Sequence, residues 1–287
     1  MSGSPKKRES IRIPKSILVA AKVLEMTSPK LAAKFAMKLF TTPMRFRLPK
    51  REIHMDNESS QEKINIPSLQ KTINVYHFGE SEKKVLLVHG WSGRGTQLHS
   101  IADKLLKGGY STISFDAPAH GKSPGKTSDM TEFIACILEL EKRYGPFEHA
   151  IGHSLGAMAV LNSIKRGLKV QKAVIIGSGD VIRDIMDDFT QKKLGMNVAT
   201  GNLMIRMFEK KFGETIDNYS AYIAAKAVRN PVLVFHDNHD VDVPVTAAHH
   251  IADNLGNAEM VITEGLGHRK ILGDTKVIKK IIQFLES

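Results

Sequence analysis

Three scarcities bound what this 287-residue chain can be. Cys136 is its only cysteine, so no internal disulfide can form. No uncharged apolar run reaches the roughly 18 residues a membrane-spanning helix needs, so none is expected. The apolar run Ile17 to Ala21 is cut short by Lys22 and no small-residue cleavage site follows, which argues against a cleavable leader. The third scarcity is of net charge over most of the length. Residues 1–50 hold twelve Lys and Arg against Glu9 and Glu25, whereas the remainder holds 29 basic against 28 acidic residues. Ten of the eleven net positive charges therefore belong to the N-terminal segment. The body has no electrostatic reason to seek nucleic acid. Cys136 shares a helical pattern with Phe133, Ile137 and Leu140 and reads as a core thiol, and a cytoplasmic location is the expectation.

What is present is ample apolar sequence, 42% of residues, enough for a sizeable core. After a polar start over residues 1–13, two helices are predicted, Ser16 to Met26 and Lys30 to Phe40, with Ser28 as N-cap and Pro29 in the first turn of the second. Leu31, Phe35 and Leu39 make an apolar stripe there, and Lys30, Lys34 and Lys38 a basic one. Such an arm, residues 1–50, either docks on the body or lies on an anionic membrane surface; docking is the expectation.

From Thr72 onward, apolar runs Ile73 to Phe78, Val85 to Val88, Thr112 to Phe115, His149 to Ile151, Ala173 to Ile176, Val232 to Phe235 and Met260 to Ile262 alternate with helical patterns. That alternation predicts an α/β fold with a mostly parallel sheet covered on both faces. The core is expected over 51–179 and 230–287. Residues 180–229 show no strand and read as a helical insertion, whose Met204, Met207, Phe208 and Phe212 either line a pocket or pack on the body.

Ligand sites in such sheets gather past the carboxyl ends of the strands. His89 to Gly95 resembles a dinucleotide loop, with Asp116 about twenty residues on, but the third glycine position is Leu98. Gly121-Lys122-Ser123 and Gly125-Lys126-Thr127 fail as phosphate loops, because Asp116 and His120 stand where a further glycine is required. Gly152-His153-Ser154-Leu155-Gly156 is different. It puts a serine at a sharp strand-to-helix corner, with glycines where Cβ atoms would obstruct the crossing and helix-terminal amides beside it. Two later strands run into His236 to Pro244 and into Glu264 to His268. Serine, acid and histidine thus each follow a strand, in that order.

With His89-Gly90-Trp91, Asp116 to Ser123, the elbow at Ser154, the acid loop and Gly267-His268, the sequence resembles the α/β-hydrolases over roughly residues 70 to 287. The resemblance implies Ser154 as nucleophile, His268 as base and Asp240 as acid, with the backbone amides of Trp91 and Leu155 as oxyanion donors. Asp180, Asp237 and Asp242 compete for the acid role. Histidines 89, 120 and 153 are expected to support turns, and 249 and 250 to pack or face solvent. A serine nucleophile sets aside the aspartate-dependent dehalogenases and epoxide hydrolases, and the single-glycine His89-Gly90-Trp91 loop differs from the triple-glycine loop of hormone-sensitive-lipase-like esterases. The implied activity is hydrolysis of a small-molecule carboxylic ester or thioester, under a helical cap formed by the insertion. Amide or carbon–carbon hydrolysis, acyl transfer and a non-catalytic binding role stay open. No cofactor is implied, and no histidine–carboxylate cluster with metal-ligand spacing stands out, so no metal is expected.

Overall fold

The computed structural model describes residues 13–287. Two helices open it, α1 (Lys15–Thr27) and α2 (Pro29–Phe40). Ser28 Oγ accepts the Leu31 amide, and Pro29 sits in the first turn, where its missing N–H loses no bond. A short helix, α3 (Ile53–Glu58), leads into a hairpin of β1 (Ser60–Ile66) and β2 (Lys71–Phe78). Alternation follows: β3 (Lys84–Val88), α4 (His99–Lys107), β4 (Ser111–Asp116), α5 (Met130–Tyr144), β5 (His149–His153), α6 (Leu155–Lys165) and β6 (Lys172–Ile176). Three helices interrupt it, α7 (Ile182–Asp187), α8 (Val198–Phe212) and α9 (Ala221–Ala225). The chain closes with β7 (Val232–Asp237), α10 (Thr246–Asn254), β8 (Ala258–Thr263), α11 (Gly267–Lys270) and α12 (Thr275–Glu286).

The eight strands form one sheet in the order β1-β2-β4-β3-β5-β6-β7-β8. Only β2 runs against its neighbours; every other pair is parallel, as the alternation predicts. Successive residues point to opposite faces, and both faces are covered. Leu86 packs into the cluster holding Phe133 and Ala157, while Leu87 packs into the one holding Ile101 and Ile281. The chain leaves β3 toward β4 and returns on the other side as β5. That reversal brings the ends of β3 and β5 together, the place where such sheets open a crevice.

The pattern reading opens the sheet at β2 and misses β1. This edge strand is polar, burying only Ile64 and Ile66, so it carries no apolar alternation to read. In the arm, α2 buries Ala32, Ala33 and Ala36, whose small side chains let it approach α8 closely. The Phe40 ring meets Phe189 and Phe208 edge-on at 5.2 and 5.9 Å. Leu31, assigned to the apolar stripe with Phe35, instead faces solvent, because the alanine face is the one that fits. Met204 and Phe208 are buried in the core cluster rather than lining a cleft. No described helix is long and apolar enough to cross a membrane.

Candidate active site

At the end of β5 the backbone of Ser154 adopts φ 54° and ψ −121°, a left-handed conformation that a side chain occupies only at some strain. Its amide is tied to the Ile176 carbonyl at 2.9 Å, so the corner is held between β5 and β6. The glycines are required by close approach. A Cβ on Gly152 would stand 2.5 Å from the Gly156 carbonyl oxygen, and one on Gly156 would stand 2.5 Å from that of His89. α6 therefore starts against the β3 loop, with the Leu155 amide at its first position. A Cβ on Gly90 would lie 3.0 Å from Ser154 Cβ, which places the loop carrying Trp91 beside the serine. Among the described residues the Trp91 amide has no acceptor.

His268 reaches this corner from α11, the short helix that follows β8. Its Nδ1 lies 2.6 Å from Asp240 Oδ2, and both side chains are largely buried. Asp240 Oδ1 accepts the amides of Asp242 and Val243 at 2.8 and 2.9 Å. Burial pushes the Asp240 carboxyl upward. The His268 hydrogen bond and charge, with the two amides, outweigh it and hold the group below the usual carboxylate range. It is an anion whose position is fixed from three sides. Ser154 belongs to the same corner, since a Cβ on Gly177, next to its carbonyl partner Ile176, would fall 3.2 Å from His268 Nδ1. Ser154 Oγ makes no hydrogen bond to His268 here. A serine hydroxyl turns about one bond, and such contacts commonly align only when substrate arrives.

Histidines 89, 120 and 153 support turns around the site, as expected, but their partners could not be read from the sequence. His153 Nε2–H donates to the His268 carbonyl at 2.8 Å, and the two rings stand 4.7 Å apart. Burial, with the His268 charge beside it, pushes the His153 imidazole down to about 3, so it is a neutral brace. Asp237, a rival for the acid role, ties the two loops together: its Oδ2 accepts from Thr263 Oγ1 at 2.7 Å and from the Leu266 amide at 2.9 Å. His89 bridges β3 to the β4 loop, donating from Nδ1 to the Gly90 carbonyl while its Nε2 accepts the Ala117 amide. His120 stacks edge-on against Trp91 at 5.1 Å, and burial takes it down to about 4. Nothing local in the sequence marks these contacts, which join segments as far as 115 residues apart.

The rival motifs are otherwise engaged. Asp116 accepts the amides of Gly95 and Lys122, fastening two loops rather than facing a ribose. Lys122 pairs with Asp56 at 2.6 Å, and Ser123 Oγ donates to the Asp116 carbonyl. Asp180 pairs with His250, whose ring stacks on Tyr222 at 4.4 Å. Among the described residues, two groups bring three metal-ligating atoms within 4.8 Å of one another, Asp240–Asp242–His268 and His54–His99–Asp103. In the first, Asp240 and His268 already satisfy each other. In the second, His54 Nε2 sits 2.8 Å from Asp103 Oδ1. His99 and Asp103 of this second group stand one helical turn apart on α4, and α3 supplies His54.

Comparison with known proteins completes the description. The model of a family described as "Alpha/beta hydrolase family" matches residues 85–274. An "AB hydrolase superfamily protein" of Gibberella zeae is 23% identical over 120 residues, 40% of this chain and 42% of the relative, so the match spans less than half of that protein. A Pyrococcus furiosus esterase superposes with a TM-score of 0.65 at 19% identity, covering 85% of this chain and 98% of its own. A Bacillus anthracis bromoperoxidase gives 0.61 at 16% identity, covering 79% and 99%. An Exiguobacterium antarcticum esterase gives 0.59 at 16% identity, covering 76% and 97%. At these identities the likeness is one of fold.

Proposed function

The chain belongs to the alpha/beta hydrolase family, and from that premise we propose that it is a serine hydrolase cleaving a carboxylic ester or thioester through an acyl-enzyme on Ser154. The observation that carries the reading is the buried His268–Asp240 pair at 2.6 Å beside the strained Ser154 corner. In the proposed mechanism Ser154 Oγ attacks the substrate carbonyl carbon as His268 Nε2 takes its proton. The carbonyl oxygen becomes an oxyanion that the amides of Leu155 and Trp91 would hold, since donors fixed before the reaction need no reorganisation. His268 then returns the proton to the departing alcohol or thiol. Water, deprotonated by the same imidazole, attacks the acyl carbon and releases the acid, restoring Ser154.

Asp240 holds the Nδ1–H tautomer and stabilises the imidazolium; its depressed pKa keeps it ionised throughout. Esters and thioesters come before amides because an alkoxide or thiolate is the better leaving group and the carbonyl of an amide is the less electrophilic, and two of the superposable structures are named esterases. The helices of residues 180–229 are proposed as the cap that bounds the acyl group, since they continue directly from the loop after β6.

A chain-length series of p-nitrophenyl esters tests the reading. Activity that peaks at one acyl length and disappears in Ser154→Ala is the expected result. Silence of the folded protein on every ester of the series and on the matching acyl thioesters would overturn it, in favour of a binding protein on the same fold.

A further inference from the structure

We propose that the outer face of α1, with the first turns of α2 and α8, is a docking surface for an anionic lipid bilayer. α1 turns Ala21 and Glu25 inward. On its opposite side Val19, Val23 and Met26 recur at spacings of four and three, so they form one stripe. All three face solvent, Val19 at 62% and Met26 at 79% exposure. Two more exposed apolar residues lie near the C-terminal end of α1. Leu31 lies in the first turn of α2. Val198 opens α8 beside the last turn of α1, where Glu25 Oε1 accepts the Asn197 amide at 2.8 Å. The alternatives of a docked arm and a lipid-facing arm are therefore compatible, because its two faces do different things.

Charge names the occupant. Lys15 and Lys22 lie on the exposed stripe of α1, and Lys30, Lys34 and Lys38 continue along α2, all exposed. Between residues 13 and 50 the one acid is Glu25, which is buried and reached by Lys22 at 3.0 Å. A symmetric contact between two copies through this face would set lysine against lysine with no exposed acid between them. An anionic bilayer accepts both features at once. Apolar side chains enter the headgroup–acyl boundary while lysines extend to the phosphates, each adding attraction that salt screens. The surface also continues toward the candidate site. The Met44 amide donates to Ser92 Oγ at 3.0 Å and Arg94 Nη2 donates to the Phe46 carbonyl at 2.6 Å, laying the end of the arm over the loop of Trp91 with Met44 and Phe46 exposed.

The test is co-sedimentation of the full chain with phosphatidylcholine vesicles with and without phosphatidylglycerol, at low and high salt. Expected is binding to the anionic vesicles that weakens about tenfold or more in Val23→Asp/Met26→Asp and in Lys30→Glu/Lys34→Glu, and falls with salt. Both variants change exposed side chains, so their thermal melts and soluble-ester turnover should match the wild type; this separates failure of the surface from failure of the hydrolase reading. No binding at low salt, or equal binding by wild type and both variants, overturns the proposal. So does a concentration-dependent dimer that Val23→Asp/Met26→Asp abolishes while vesicles bind neither form.

Discussion

Two imidazole–carboxylate pairs stand beyond the ends of neighbouring strands, and they differ in almost everything except composition. His268–Asp240 is enclosed, the imidazole side chain only 9% exposed, and its carboxylate is pinned by two amides. His250–Asp180 lies at the surface, its imidazole side chain 44% exposed and stacked on Tyr222. Burial raises the Asp180 carboxyl despite the histidine, and its Oδ1 has no partner among the described residues. The carboxylate lowered from its ordinary range is the one held by fixed donors, and only that pair stands beside a serine on a strained corner. A histidine beside an aspartate is common; enclosure, fixed geometry and an adjacent nucleophile are what make one of them chemically useful.

The comparison can be broken from its strongest side first. Ser154→Ala should lower ester turnover by about 10⁴- to 10⁶-fold, and Asp240→Asn by about 10³- to 10⁴-fold with an unchanged circular-dichroism spectrum. Turnover surviving either change would detach the enclosed pair from catalysis. Next comes the scaffold. Gly156→Val places carbon against the His89 carbonyl and should destabilise the protein by about 1–3 kcal/mol in urea unfolding, since α6 must lift from β3. A neutral result would mean the corner is looser than drawn.

A gentler probe is pH. His153 and His120, held down to about 3 and about 4, are neutral when folded and titrate near roughly 6.5 when unfolded. Their contribution to stability is complete above that unfolded value and is lost as pH falls toward their folded values, because the unfolded chain binds protons first. Asp240, depressed when folded, keeps its contribution until the pH drops below roughly 3.9 and through its folded value. The urea midpoint should therefore fall between pH about 7 and about 5. A flat profile would contradict burial of these imidazoles. Smallest is the surface pair: Asp180→Asn and His250→Ala should each leave turnover within about fivefold, as a partly exposed pair contributes about 0–1 kcal/mol. If Asp180→Asn fell as far as Asp240→Asn, the ranking of the two pairs would invert.

The proposed nucleophile, base and acid were legible because each follows an apolar run that could be read as a strand, and strand ends in such a sheet converge. The parallel sheet was legible for the same reason, since buried strands such as Leu86-Leu87-Val88 announce themselves by composition. β1 was not, because a polar edge strand looks like a loop until its partner is known. The braces were hidden for a different reason. His153 meeting the His268 carbonyl, or Asp237 joining Leu266 to its own loop, depends on packing between distant segments. Leu31 shows the limit of periodicity: the helix was correct and Phe35 and Leu39 pack on the core, but three alanines share that contact while Leu31 lies outside it.

The most direct measurement is the rate and site of labelling by a fluorophosphonate, mapped by mass spectrometry in the wild type, Asp240→Asn and Asp180→Asn. Covalent adduct on Ser154 alone, slowed by about 10³-fold in Asp240→Asn and little changed in Asp180→Asn, is the predicted result. Adduct on another residue, no adduct on the folded protein, or equal rates in wild type and Asp240→Asn would contradict the account.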